Sequence, residues 1–234
     1  MLHDNLTTII NRINTAALRV NRSPADIKLV AVSKRVPSEK VLRAIECGQY
    51  SFGENYVQEA QEKIPLIRKN RDGNKISFHF IGKLQSNKAK KAAELFDVIE
   101  TIDSLKLART LEKLLASSHK TLTAYLQVNI GKEEQKSGVM PEDCEHILQE
   151  LSQLQHLKIA GLMTMPPYFS NPEDVRPYFR KMKKLSEKLI EKKLLGQQTP
   201  VELSMGMSGD FEVAIEEGAT VVRIGTAIFG ARDL

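Results

Sequence analysis

The segment VELSMGMSGDFEVAIEEGATVVRIGTAIFG, Val201–Gly230, contains a complete structural unit in one short stretch. A β-branched run, Val201 to Met205, enters a Gly-containing loop; a short helix closed by Gly218 follows; a second run, Val221 to Ile224, ends at Gly225. Strand, helix and strand in close succession imply parallel pairing through a right-handed crossover, because the helix must pack back onto the sheet it left.

The same alternation fills the rest of the chain. Apolar, β-branched segments recur at Ile27 to Val32, Tyr50 to Gly53, Ser77 to Ile81, Val98 to Ile102, Ala124 to Ile130 and Lys158 to Met163, before the two already quoted. Between them lie helix-spaced residues: Val41, Leu42 and Ile45; Leu105, Ala108, Leu111 and Leu115; Phe179, Met182, Leu185 and Leu189. Spacings of three and four present one apolar stripe to a sheet. Eight such units predict an α/β fold, a single (β/α)8 TIM-type barrel, and 234 residues shared among eight give about 29 per unit. An open, doubly wound sheet is the alternative. About ten residues follow Ile224, too few for a full eighth helix. The opening amphipathic segment, with Leu6, Ile9, Ile10, Ile13, Ala17 and Val20, is positioned to cover that gap. With no linker, repeat or low-complexity stretch, residues 1–234 read as one domain.

Composition narrows the function classes. Apolar residues make up 41% and charged residues 27%, which excludes disordered and fibrous chains. No apolar run is long enough to span a bilayer and no secretory leader is evident, so the expected location is the cytoplasm. Cys47 and Cys144 form no metal or redox motif. The histidines at 3, 79, 119, 146 and 156 show no metal-binding spacing and no clustering with acids, so no metal site is expected. A net charge of +5 is small for nucleic-acid binding, and the lysine runs around Lys83 to Lys91 and Lys181 to Lys193 lack stacking aromatics; they read as solvated faces.

In such a barrel the active face lies at the C-terminal ends of the strands. The polar residues there are Lys34, Glu54, Asn55, Lys83, Asn129, Thr164, Ser208, Arg223, Gly225 and Thr226. In LVAVSK, the period of two puts Val30, Val32 and Lys34 on one face, the barrel interior. An amine held there, partly desolvated, can attack an aldehyde or ketone to form an imine; the competing account is a lysine that extends into solvent. Ser208 and Gly209 precede a short helix whose free amides suit an anion, unless Ser208 or Asp210 merely caps it. Gly225 and Thr226 follow strand eight, and loops after strands seven and eight are the habitual phosphate site of these barrels. Arg223 points to the same side as Gly225; a guanidinium inside a barrel needs a ligand or an interior carboxylate, for which Glu100 and Glu202 are available.

An imine-forming lysine, a phosphate cradle and an interior arginine together describe a site for pyridoxal 5'-phosphate (PLP), whose aldehyde, phosphate and ring nitrogen each find a partner. A Schiff-base aldolase for phosphosugars would use the first two features and leave Arg223 without a role. Asn55, after strand two, can lie against a bound ring or cap a helix.

The ordered blocks AVSK, FGENYVQE, FIGKLQSNK, QVNIGKEEQKSGV, GLMTM and SMGMSGDFEVAIEEGATVVRIGTAIFG resemble the YggS/PROSC family of pyridoxal phosphate homeostasis proteins over nearly the whole chain. The resemblance implies a PLP-binding barrel like the N-terminal domain of alanine racemase. It implies the cofactor lysine at Lys34, the ring-nitrogen arginine at Arg223, phosphate contacts at Ser208, Gly225 and Thr226, and Asn55 beside the ring. Arg35 departs from the threonine more usual in that family. The implied function is cofactor binding, storage or delivery, with PLP-dependent apo-enzymes as recipients, as a monomer or weak dimer, without nucleic acid or membrane partners and without established catalysis. Physical reasoning agrees: an arginine at the pyridine nitrogen keeps it unprotonated and weakens the ring as an electron sink. The rival reading is a small PLP-dependent racemase or lyase, which would need a base such as Tyr56, Tyr168 or Lys83 near the substrate. Racemases draw a second base from another domain, which this sequence is not expected to supply.

Overall fold

Eight parallel strands close on themselves in sequence order: β1 (Lys28–Val32), β2 (Ser51–Glu54), β3 (Ser77–Phe80), β4 (Val98–Ile102), β5 (Leu122–Val128), β6 (Leu157–Thr164), β7 (Glu202–Ser204) and β8 (Val221–Ile224). The structure is a computed structural model that describes residues 1–70, 76–196 and 200–230. Closure comes from β1 lying against β8, with Lys28 opposite Val221 and Ala31 opposite Ile224. The fold is therefore the TIM-type barrel, and the open sheet is excluded. Strands five and six begin earlier than their apolar runs suggested, because Leu122 and Leu157 already pair.

The helical layer comprises α1 (Leu2–Arg19), α2 (Ser38–Glu46), α3 (Val57–Asn70), α4 (Ala89–Leu95), α5 (Leu105–Ser117), α6 (Cys144–Leu151), α7 (Arg176–Glu191), α8 (Phe211–Glu216) and α9 (Thr226–Phe229). Helix α5 shows the local logic. Ser104 accepts from the Leu107 amide at its start, and Leu107, Ala108, Leu111 and Leu115 form its buried stripe. Helix α9 has only four residues, and α1 fills the space beside it. Leu6, Ile9, Ile13, Ala16 and Ala17 are buried there, Asn5 donates to the Ile228 carbonyl at 2.9 Å, and Arg12 pairs with Glu212 at 2.7 Å. Ile10 is exposed and Val20 half-buried, so the apolar face is narrower than the sequence pattern.

Most of the core lies between strands and helices, while Val98, Tyr125 and Met163 form a small separate cluster inside the barrel. Strand β4 carries one extra residue against β5: Ile99 pairs with Ala124 but Ile102 with Leu126. Both isoleucines therefore pack into the outer core. His79, in a strand where a hydrogen-bonded core histidine is the default reading, is buried and so bonded. His79 Nδ1 lies 2.6 Å from Glu100 and His156 Nδ1 2.9 Å from Glu112. The lysine-rich faces are solvated as expected, with pairs such as Lys91–Glu94 and Lys183–Glu187. Cys47 and Cys144 are unpaired, and burial pushes the Cys144 thiol up to about 12, away from reactive chemistry.

Two outcomes follow for stability. Ile9→Ala is expected to cost about 2–4 kcal/mol in urea unfolding, the usual range for a buried isoleucine. The Glu112 carboxylate receives His156 and the amides of Leu157, Gln155 and His156. Burial acts to raise its pKa, but those bonds outweigh it and hold the group at about 2 instead of 4.5. A carboxylate depressed on folding stabilises fully above its unfolded pKa and loses that contribution as pH falls. Glu112→Gln should therefore destabilise at neutral pH, and its difference from wild type should shrink between pH 4.5 and about 2.

Candidate functional site

At the C-terminal mouth, Val32, Lys34, Asn55, Ile81, Met165, Met207, Ser208, Arg223, Gly225 and Thr226 line one cavity of about 170 Å3. All six residues singled out for the cofactor, Lys34, Asn55, Ser208, Arg223, Gly225 and Thr226, meet here. The closure of β1 on β8 makes this possible, since it places the chain ends that follow these strands side by side. A larger cavity, about 860 Å3, lies at the opposite end of the barrel among the strand starts and contains none of them.

Lys34 stands two residues beyond the end of β1, half-buried, on the same cavity wall as Val32. The backbone on either side of it is clamped. The Ser33 carbonyl accepts from Lys63 Nζ at 2.8 Å, and the Arg35 amide donates to Glu59 at 2.7 Å. Lys63 also pairs with Glu54 at 3.0 Å and with Glu59, while Ser33 Oγ donates to Glu54 at 2.7 Å. Lys63 and Glu54 are both buried. Burial raises the Glu54 pKa, and Lys63 and Ser33 offset only part of that rise. Glu54 is therefore a correction: it faces α3 behind the lysine and not the mouth. Arg35 has φ +56, in the left-handed region that non-Gly residues seldom adopt, and its guanidinium lies over the Tyr56 ring at 5.9 Å.

Arg223 is 4% exposed. Nη2 donates to the Thr164 carbonyl at 2.9 Å, Nη1 donates to Ser204 Oγ, and Glu100 stands 3.7 Å away. Ser204 in turn donates to Glu100, whose other oxygen meets His79. Of the two carboxylates weighed for Arg223, Glu100 is the partner; Glu202 pairs with Lys28 at 2.6 Å and accepts from Tyr125 at the other end of the barrel. Burial lowers the Arg223 pKa, opposed by Glu100, Asp210 and Tyr125. Burial likewise acts to raise Glu100, but His79, Arg223 and Ser204 hold it below the ordinary carboxylate value.

The loop after β7 is shaped by Gly206, at φ +95, where a Cβ would come within 2.6 Å of the Ala214 methyl; its carbonyl accepts from the Arg223 amide at 3.0 Å. Asp210 does not cap α8 with its side chain; it reaches back to the Met207 amide at 2.6 Å. The ordinary capping account of this loop is thereby removed, and Ser208 is left on the cavity wall. At the other side, Gly82 lets β3 approach β2, since a Cβ would lie 2.2 Å from the Asn55 carbonyl. Thr164 and Asn129 are spent on structure: Thr164 Oγ1 donates to the Val128 carbonyl at 2.8 Å, and Asn129 Nδ2 donates to the Glu133 carbonyl at 2.8 Å. Lys83 lines a neighbouring cavity instead.

The donor set fits PLP. A primary amine, a guanidinium, and the hydroxyl-bearing Ser208 and Thr226 at the phosphate loops converge from separate elements on one chamber, with Asn55 on its wall. Sequence reasoning missed the supporting groups Lys63, Glu59 and Ser204. A signal existed for Lys63, a charged residue beside the apolar stripe Val57, Ala60, Ile64 and Ile67 of α3. None existed for the bond between Ser204 and Glu100, which lie 104 positions apart.

Comparison with known proteins agrees with this geometry. Residues 5–233 match the family described as alanine racemase, N-terminal domain. The pyridoxal phosphate homeostasis protein of Aquifex aeolicus is 42% identical over 229 residues, 98% of this chain and 97% of its own. That of Haemophilus influenzae is 43% identical over 232 residues, 99% and 96% of the two chains. The structure of PipY from Synechococcus elongatus with PLP bound superposes with a TM-score of 0.83 at 35% identity, covering 98% of this chain and all (100%) of that one. An alanine racemase of Clostridium difficile, at 19% identity and a TM-score of 0.70, shares the fold, and this chain spans 56% of its length. The chain belongs to the alanine racemase N-terminal domain family and, within it, to the pyridoxal phosphate homeostasis proteins.

Proposed function

We propose that this chain, read as one barrel domain over residues 1–234, binds PLP and serves in its homeostasis in the cytoplasm, with Lys34 as covalent anchor. The observation that carries this reading is the single cavity that joins Lys34 to Ser208, Arg223, Gly225 and Thr226. When bound, the cofactor supplies an aldehyde able to condense with a primary amine. Lys34 provides that amine at a backbone fixed on both sides. Arg223, anchored by Ser204, Thr164 and Glu100, presents a donor to the ring nitrogen. Ser208 and Thr226, with the amides at their loops, receive the phosphate. Asn55 supports the ring. Recipients among PLP-dependent apo-enzymes and a monomer or weak dimer complete the reading; among the described residues no helix is long and apolar enough to cross a membrane.

A carrier is favoured over a racemase or lyase by the placement of the candidate bases. Tyr168 is 90% exposed and, like Lys83, lines the neighbouring cavity, while Tyr56 lies against Arg35. Borohydride reduction of the PLP-treated protein, followed by peptide mapping, should place a pyridoxyl group on Lys34 and none in Lys34→Ala; an adduct confined to Lys83 overturns the assignment. Solvent deuterium should not exchange rapidly into amino acids, and exchange abolished by Lys34→Ala would favour the enzyme.

The clamp behind Lys34 gives a second outcome. Lys63→Met, compared at equal folded fraction by thermal unfolding, should weaken PLP retention by about tenfold or more, the equivalent of one charge-assisted hydrogen bond. Lys63→Arg should restore part of it. Unchanged retention in Lys63→Met would show that the clamp plays no part in binding.

A further inference from the structure

The end of the barrel opposite Lys34 is hollow. Barrel interiors are ordinarily filled by bulky branched side chains, but in the lower halves of β4, β5 and β6 this chain places Val98, Thr123 and Ala160, and the cavity of about 860 Å3 lies against them. Ala160 is an extra residue in β6, since Ala124 pairs with Ile159 and Tyr125 with Gly161. A second cavity, of about 480 Å3, lies along the same strands and is lined by Leu148, Leu151, Leu154, Leu157, Ile159 and Leu194. Thr123 and Ala160 line both cavities, so the two meet there.

The two ends differ in chemistry. The leucine end is hydrocarbon, with Lys158 exposed at its edge. The barrel end carries Arg22, Asp26, Lys28 and Glu202. Glu202 is already satisfied, because Lys28 pairs with it at 2.6 Å and Tyr125 donates to its other oxygen. Arg22 is half-buried in the loop between α1 and β1. Its Nη1 donates to the Ile215 carbonyl at 2.8 Å, while Nε and Nη2 have no partner and the guanidinium no ion pair among the described residues. Asp26 is exposed and compensates Arg22 only in part: burial outweighs it and lowers the Arg22 pKa. A half-buried guanidinium with unfilled donors is completed by an anion. Over both linings three cations, Arg22, Lys28 and Lys158, stand against two carboxylates, Asp26 and Glu202, a difference of one charge. One negative charge on an unbranched apolar tail matches that arrangement. Free phosphate would leave the leucines uncovered, and a neutral hydrocarbon would leave Arg22 unfilled.

We propose that the joined cavities bind a medium-chain aliphatic monocarboxylate, its head on Arg22 and its tail running past Val98 and Ala160 into the leucine groove. None of the six cofactor residues takes part, so the inference does not rest on the cofactor reading.

Decanoate is the probe, titrated below its micellar concentration into the full-length, PLP-loaded protein by calorimetry and located by amide NMR. One equivalent should bind, with shifts at Thr123, Ala160 and Leu194. From hexanoate through octanoate to decanoate, each added methylene should tighten binding about fourfold, the transfer value of one buried CH2, and acetate should show no saturable binding. Arg22→Gln should weaken decanoate about tenfold, the size of one hydrogen bond to a charged group, and Arg22→Lys should recover part of the loss. Lys34→Ala should bind decanoate as wild type does. Absence of one-to-one binding, or an affinity indifferent to chain length, overturns the site. Unchanged affinity in Arg22→Gln together with a loss in Lys158→Gln overturns the placement of the head. If Arg22→Gln fails to fold, decanol decides with the unaltered protein: equal affinity for decanol and decanoate overturns the role of the charge. A dimer in sedimentation that Leu194→Asn dissociates and decanoate leaves intact would assign the groove to a second copy and overturn the proposal. Decanoate binding without borohydride modification of Lys34 would remove the cofactor assignment alone, and modification without decanoate binding would remove this inference alone.

Discussion

A guanidinium cannot sit inside a closed barrel unless oxygen atoms meet it, because the desolvation of a buried charge is otherwise prohibitive. Arg223 meets that condition through Ser204, the Thr164 carbonyl and Glu100, and Glu100 is itself secured by His79. Four strands, β3, β4, β7 and β8, and the end of β6 contribute to this one network. Its layer separates the apolar cluster of Val98, Tyr125 and Met163 from the chamber at the mouth. The polar floor of the site and the interior of the barrel are in this sense one construction. Removing Glu100 would leave a buried cation unbalanced, and removing Arg223 would leave a buried carboxylate held by His79 and Ser204 alone among the described residues.

The reactive end is organised differently. Lys34 follows its strand on a short turn, and the adjoining residue Arg35 occupies the left-handed region. A bulky residue holds that conformation only where its surroundings determine it. Here the surroundings are Lys63, Glu54 and Glu59, which take the carbonyl before Lys34 and the amide after it. Arginine at this position uses its length to lie over Tyr56, so its charge is turned toward the outer face of α3's approach and away from the cavity lining.

Most of the architecture is legible in the chain because periodicity is a local property. The eight strands, the buried stripe of α5 and the covering role of α1 all follow from spacings within a few residues. The six candidate residues are legible for the same reason: each lies at or within four residues of the C-terminal end of a strand, and the barrel brings strand ends together whatever their order. What local pattern cannot carry is direction at a strand end. Glu54 and Asn55 are neighbours in sequence, yet one turns to α3 and the other to the cavity. Asn129 and Thr164 look like mouth residues by position and serve the backbone instead. The bulge in β4 is equally invisible to a period of two, and it is the feature that puts Thr101 beside Glu100.

The docking of α1 against α8 and α9 bears on how the molecule comes to exist during synthesis. Asn5 and Ile228 are joined across 223 positions, so α1 leaves the ribosome long before α8 and α9, against which it buries Leu6, Ile9 and Ile13. A nascent chain of this fold carries an uncovered greasy ridge until α8 and α9 have followed. The docking of α1 is therefore a late event, and the intervening period is when chaperones have the most reason to engage it.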